Sequence, residues 1–184
     1  MALYLALLRG INVGGRNPVK MPDLKACFEA AGFEDVATYI QSGNVLFRTG
    51  RRGSAALTRE IEETLADTFG YEASIVLRSH AQLRAVVRGA PRGFGAAAYR
   101  CDVIFLKAPL TATAALGTVP AKPGVDQVSA GPGVLYFSRL ASKAAQSRLS
   151  KVVTLPIYRS MTIRNWNTTT TLLRKMDERA DGGS

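Results

Sequence analysis

Val36-Ala37-Thr38-Tyr39-Ile40-Gln41-Ser42-Gly43-Asn44-Val45-Leu46-Phe47-Arg48 reads as two extended runs joined by a polar turn. Val36 to Ile40 and Val45 to Arg48 are rich in β-branched and aromatic residues, and the glycine and asparagine between them are what tight hairpin turns require. A lone hairpin is not stable, so its sheet partners must lie to either side. Upstream, Ala2 to Leu8 reads as a strand. Pro22 to Ala31 reads as a helix with proline in its first turn, Leu24, Cys27, Phe28 and Ala31 on one face, and Gly32 to end it. Downstream, Ser54 is a candidate N-cap for a helix carrying Leu57, Ile61, Leu65 and Phe69 on one face, and Ala73 to Leu77 supplies another strand. The order βαββαβ is that of a ferredoxin-like unit.

The same order recurs. Ser79 and Gln82 have capping-box spacing for a helix to Arg88, and Gly89 to Ala98 has linker composition. Beyond it, Cys101 to Leu106 reads as a strand and Pro109 to Leu116 as an alanine-rich helix. Val125 to Ala130 and Val134 to Phe137 form a hairpin around Gly131-Pro132-Gly133. Lys143 to Val152 reads as helix, Met161 to Arg164 as a closing strand, and Thr168 to Arg179 as an added helix. The fold class is α+β: two ferredoxin-like (βαββαβ) subdomains with antiparallel sheets, plus a C-terminal helix. The expected divisions are 1–78, a helix and linker at 79–99, and a basic second subdomain at 100–184. Both alternating residue sets of the two first strands are apolar, so each sheet is expected to be covered on both faces, by the other half of the chain or by another subunit.

Composition narrows the classes. At 184 residues and 47% hydrophobic content the chain can bury a substantial core. Its longest apolar stretch falls far short of the roughly 20 residues that span a bilayer and lacks a basic n-region, so a cytoplasmic location without a membrane partner is expected. The two cysteines, Cys27 and Cys101, show no metal or redox spacing and read as buried thiols. Residues 1–78 carry nine Lys/Arg and nine Asp/Glu, so the formal excess of +10 belongs to the remainder, where a positive potential suits phosphates or nucleic acid.

Three strings carry a resemblance: Leu7-Leu8-Arg9-Gly10-Ile11-Asn12-Val13-Gly14-Gly15, Gln41-Ser42-Gly43-Asn44-Val45 and Thr162-Ile163-Arg164-Asn165-Trp166-Asn167-Thr168. In this order they resemble the signatures of the bacterial domain-of-unknown-function family numbered 1697. The resemblance implies a pair of ferredoxin-like subdomains and no particular activity, substrate or cofactor.

Chemistry must come from the residues. In βαββαβ topology the exit of the first strand and the turn of the hairpin share one sheet end. Arg9, Asn12, Ser42, Gly43 and Asn44 are therefore expected to be neighbours, with Gly10, Gly14 and Gly15 turning main-chain N–H groups into an anion-binding nest beside the Arg9 guanidinium. A second anion site is expected where Arg164 and Asn165 meet a helix capped by Asn167 or Thr168. These residues suit a phosphorylated small molecule, a nucleotide or RNA; the alternatives are an enzyme acting on a small molecule in the same pocket and a homo-oligomer that pairs its sheet faces. Gly10 to Gly15 lacks the lysine and hydroxyl of a phosphate loop, and the dinucleotide pattern is missing. The exposed-aromatic pattern of a common RNA-recognition sheet is missing too. The chain has one histidine, His80, expected in the first turn of a surface helix, and its residues name no cofactor, metal or catalytic group. Trp166 reads as a packing anchor, and Lys143, Ser147 and Lys151 as a solvated helical face.

Overall fold

In a computed structural model, which describes residues 1–12, 15, 17–51 and 54–182, the chain divides by its contacts into Met1–Ala81 with Lys175–Ser184, and Gln82–Arg174. Each unit is built on one four-stranded sheet.

The first unit runs β1 (Ala2–Arg9), α1 (Met21–Ala30), β2 (Glu34–Tyr39), β3 (Asn44–Thr49), α2 (Ser54–Phe69) and β4 (Ser74–Ser79). Its sheet order is β2-β3-β1-β4, antiparallel throughout, the ferredoxin-like arrangement. Pro22 lies in the first turn of α1, where its missing N–H breaks no helical bond. Ala6, Leu8, Val45, Phe47, Ile75 and Leu77 on one sheet face pack with Leu24 and Phe28 of α1 and Leu57, Ile61 and Leu65 of α2. The alternate set Leu3, Leu5 and Leu7 is buried as well, as the doubly apolar first strand required. Edge strand β2 carries a bulge between Glu34 and Ala37, with Asp35 in the left-handed region at φ 49°. Such a bulge disturbs an edge that another strand would otherwise extend.

The helix α3 (His80–Arg88) follows β4 directly. The second unit then repeats the order with β5 (Tyr99–Leu106), α4 (Ala112–Leu116), β6 (Asp126–Gly131), β7 (Val134–Leu140), α5 (Leu149–Val152) and β8 (Met161–Asn165), before α6 (Trp166–Asp181). Its sheet order, β6-β7-β5-β8, matches the first. The repetition reaches individual residues. Leu8 N–H donates to Gly43 O at 2.8 Å, and Leu106 N–H to Gly133 O at 3.0 Å. Arg78 stands opposite Leu5, as Arg164 stands opposite Val103. Each of these arginines donates from Nη1 to the preceding carbonyl, and burial lowers each to about 10.

Three local expectations need correction. The helix expected over 143–152 is a 3-10 segment, Ala141–Gln146, followed by the four residues of α5. Ser147 between them is extended at ψ 148°, its hydroxyl accepts from Leu149 N, and Arg148 N–H donates to Asp126 Oδ2. Side-chain oxygens thus take main-chain donors that a helix would use. No shared helical face of Lys143, Ser147 and Lys151 exists. The α4 helix begins at Ala112, because Thr111 caps it by accepting from Ala114 N. Finally, α6 begins at Trp166, so neither Asn167 nor Thr168 is its cap. Asn165 Oδ1 accepts from Thr168 N at 2.7 Å and holds that position.

Candidate functional site

The end of β1 and the turn between β2 and β3 form one rim of the first unit. The register pairs Leu7 with Asn44, and the Leu8 N–H to Gly43 O bond continues it to the last residue before Arg9. Beyond Arg9 the chain loops through residues with positive φ: Gly10 (77°), Asn12 (53°), Gly15 (74°) and Asn17 (47°). Glycine and asparagine are the residues that adopt this region at least cost.

Asn12 is the brace of the rim. Its Nδ2 donates to Val19 O and to Gln41 O, both at 2.9 Å, and its Oδ1 accepts from Val19 N at 2.9 Å. One side chain thereby closes the loop and ties it to the hairpin turn. Asn17 adds a second closure, since Asn12 N–H donates to Asn17 O and Asn17 Nδ2 donates to Gly10 O. Gly43 completes the joint: at φ 76°, a Cβ there would lie 2.5 Å from Ile11 Cδ1 and 2.9 Å from Leu8 Cβ.

The sequence-proposed residues thus take different parts. Arg9 is half-buried at the rim, with its Nε shielded from solvent. Gly10 and Gly15 are exposed, and a Cβ on either would meet nothing within 4 Å. Asn44 is fully buried, and its Nδ2 donates to Tyr39 O and Ser42 Oγ, so its amide shapes the turn. Gly14 lies outside the described residues. At the mouth of the same turn, Ile40 is 46% exposed with φ 51°, a conformation β-branched residues rarely adopt.

Arg164, Asn165, Asn167 and Thr168 belong to the second unit. Arg164 is 7% exposed, and its Nη1 donates to Thr162 Oγ1 and Ile163 O, so the guanidinium is built into β8 and its surroundings. Thr168 is buried and Asn167 exposed. Trp166 meets Phe94 edge-on with ring centroids 5.0 Å apart, and Gly95 lies so close that a Cβ would be 2.5 Å from Trp166 Cδ1. The tryptophan is a packing anchor.

Several polar partners had no local signal in the sequence. His80 Nε2 lies 2.6 Å from Asp177 Oδ1 in the first unit, a pairing across 97 residues. Asp35 binds Arg179 and Arg48, and the Arg179 hydrogen bond does most to hold its carboxyl below the usual range, against the opposing effect of burial. Cys27 and Cys101 are buried free thiols, and burial pushes the Cys101 thiol up. Among the described residues no group of three or more His, Cys, Asp or Glu is placed to hold a metal ion, and no helix is long and apolar enough to cross a membrane.

A family model described as a protein of unknown function, DUF1697, matches residues 1–136. The chain belongs to the DUF1697 family. That match contains the whole rim. Among solved structures, this DUF1697 chain is similar to the conserved bacterial protein SP0830 from Streptococcus pneumoniae, at 27% identity and a TM-score of 0.83, over 94% of this chain and 97% of that one. No curated protein matches it.

Proposed function

We propose that this DUF1697 protein binds an anionic ligand, a phosphorylated metabolite, a nucleotide or an RNA end, at the rim formed by residues 9–17 and 40–44. The observation that carries this reading is the brace: Asn12 joins Gln41 and Val19 through three hydrogen bonds, so the exit of β1 is tied to the hairpin turn before any ligand arrives. Preorganised main-chain donors beside a guanidinium recognise phosphate or carboxylate oxygens without a large ordering cost. In this reading Arg9 supplies charge, Gly10 and Gly15 let main chain approach the ligand, and Asn12 and Asn44 are positioning residues. Ser42 and Gly43 set the wall of the turn.

Hydrogen–deuterium exchange of the full chain with inorganic pyrophosphate tests it. Protection is expected in peptides covering 9–17 and 40–44, lost in Arg9→Ala and partly kept in Arg9→Lys. Unprotected segments, or protection unchanged in Arg9→Ala, would overturn the assignment. If the ligand is polynucleotide, affinity falls steeply with salt; a small phosphorylated ligand shows a shallower dependence.

A further inference from the structure

The second unit holds a cavity that the rim does not explain. Its volume is about 710 Å³, within the range of small-molecule sites. Arg100 of β5 and Arg139 of β7 line it, and they stand directly opposite each other in the antiparallel register. Side chains opposite one another share a face, and like charges so placed repel. One of the two is answered. Arg139 Nη1 donates to Asp102 Oδ2 at 2.9 Å, and Asp102, two residues from Arg100, shares that face.

The other acid nearby, Asp126, stands opposite Arg139 on β6; its Oδ2 accepts main-chain N–H groups from Lys122 and Arg148, while its buried Oδ1 has no hydrogen-bond partner among the described residues and makes no ion pair with either arginine. Among the described residues the Arg100 side chain makes no ion pair or hydrogen bond, and the residue is exposed. Ser142, Ser147 and Ser150 line the same cavity. Ser147 Oγ accepts from Leu149 N, whereas the Ser142 and Ser150 hydroxyls have no hydrogen-bond partner among the described residues. The rest of the lining is alanine and aliphatic, with Val153 half exposed.

Two guanidinium groups and free hydroxyls together with alanine and aliphatic side chains suit a molecule with a charged and an apolar part. We infer that this cavity binds the phosphoryl group of a small phosphomonoester between Arg100 and Arg139, with serine hydroxyls on its oxygens and the organic part against the apolar side chains. A dianion placed there removes the cross-strand repulsion, and guanidinium groups take phosphate oxygens in pairs. The inference goes beyond the rim and uses none of its residues.

Phenyl phosphate and inorganic phosphate, titrated calorimetrically into the wild-type chain, Arg100→Ala, Ser150→Val and Arg9→Ala, test it. Phenyl phosphate is expected to bind wild type and Arg9→Ala alike, to bind about tenfold more weakly to Arg100→Ala, and to bind more tightly than inorganic phosphate. Without ligand, Arg100→Ala is expected to melt no lower than wild type, because it relieves a like-charge pair. Unchanged affinity in both Arg100→Ala and Ser150→Val would overturn the inference, as would equal affinity for the two probes. Loss of phenyl phosphate binding in Arg9→Ala with none in Arg100→Ala would place the ligand at the rim instead. Capture of a 5′-phosphorylated oligonucleotide that phenyl phosphate does not displace would assign the arginines to nucleic acid and overturn it too.

Discussion

Gly43→Ala should be much more damaging than Gly10→Ala, although both glycines have nearly the same φ, 76° and 77°. An L-residue in the left-handed region costs about 1–2 kcal/mol, and both variants bear that cost. They differ in what the new methyl group meets. At Gly10 there is nothing within 4 Å, whereas at Gly43 the Cβ lies 2.5 Å from Ile11 Cδ1 and 2.9 Å from Leu8 Cβ. The Ile11 methyl has some freedom to swing, but it belongs to a buried side chain of the core, and the Leu8 Cβ is fixed by the strand. Overpacking a site of this kind costs about 1–3 kcal/mol. At about 2–4 °C per kcal/mol for a chain of this size, Gly43→Ala should melt roughly 2–12 °C below Gly10→Ala. Thermal unfolding by circular dichroism, supported by urea titration of both variants, reads this directly. Equal melting temperatures would refute the packing of the hairpin turn on the first loop.

Four further outcomes follow from the same contacts. Asn12→Ala should cost about 1–3 kcal/mol in urea unfolding, because it leaves the buried-side partners at Val19 without their amide; Asn12→Asp, which still accepts from Val19 N but no longer donates to Val19 O or Gln41 O, should recover only part. Tyr136→Phe should cost about 1–1.5 kcal/mol by the same assay, since the buried hydroxyl donates to Val86 O at 2.6 Å. Asn165→Ala should lower stability by about 0.5–2 kcal/mol through loss of the α6 cap, with Asn165→Ser restoring most of it. Asp35 is held below its unfolded value, so its contribution is present above about pH 4 and lost as pH falls through its folded value; Asp35→Asn should therefore narrow its stability gap to wild type as an acid titration proceeds, the effect being small because the pair is partly exposed.

What the chain disclosed before its structure was known was mostly local and periodic. Two faces of apolar residues along β1 and β5, four-residue spacing along α2, and the turn composition at 41–44 each specify an element, and their order leaves few topologies. The shared rim followed from that topology. The hydrogen bonds that build it did not follow, because Asn12 and Asn44 have the composition of ligands and of braces alike. Only coordinates show the Asn44 amide turned into its own hairpin. Helix ends failed where a side chain competed for the main chain, as at Ser147 and Asn165. Pairings between distant segments, such as His80 with Asp177 or Asp35 with Arg179, left no pattern to read. The opposition of Arg100 and Arg139 needed the β5–β7 register, which depends on strand lengths that composition does not fix.

The reading of the rim as an anion seat is most directly tested by amide chemical shifts of the full ¹⁵N-labelled chain during titration with pyrophosphate. Saturable shifts at Gly10, Gly15 and Gly43, abolished by Arg9→Ala, are the predicted result. Saturation of the protein with those amides unmoved would contradict it.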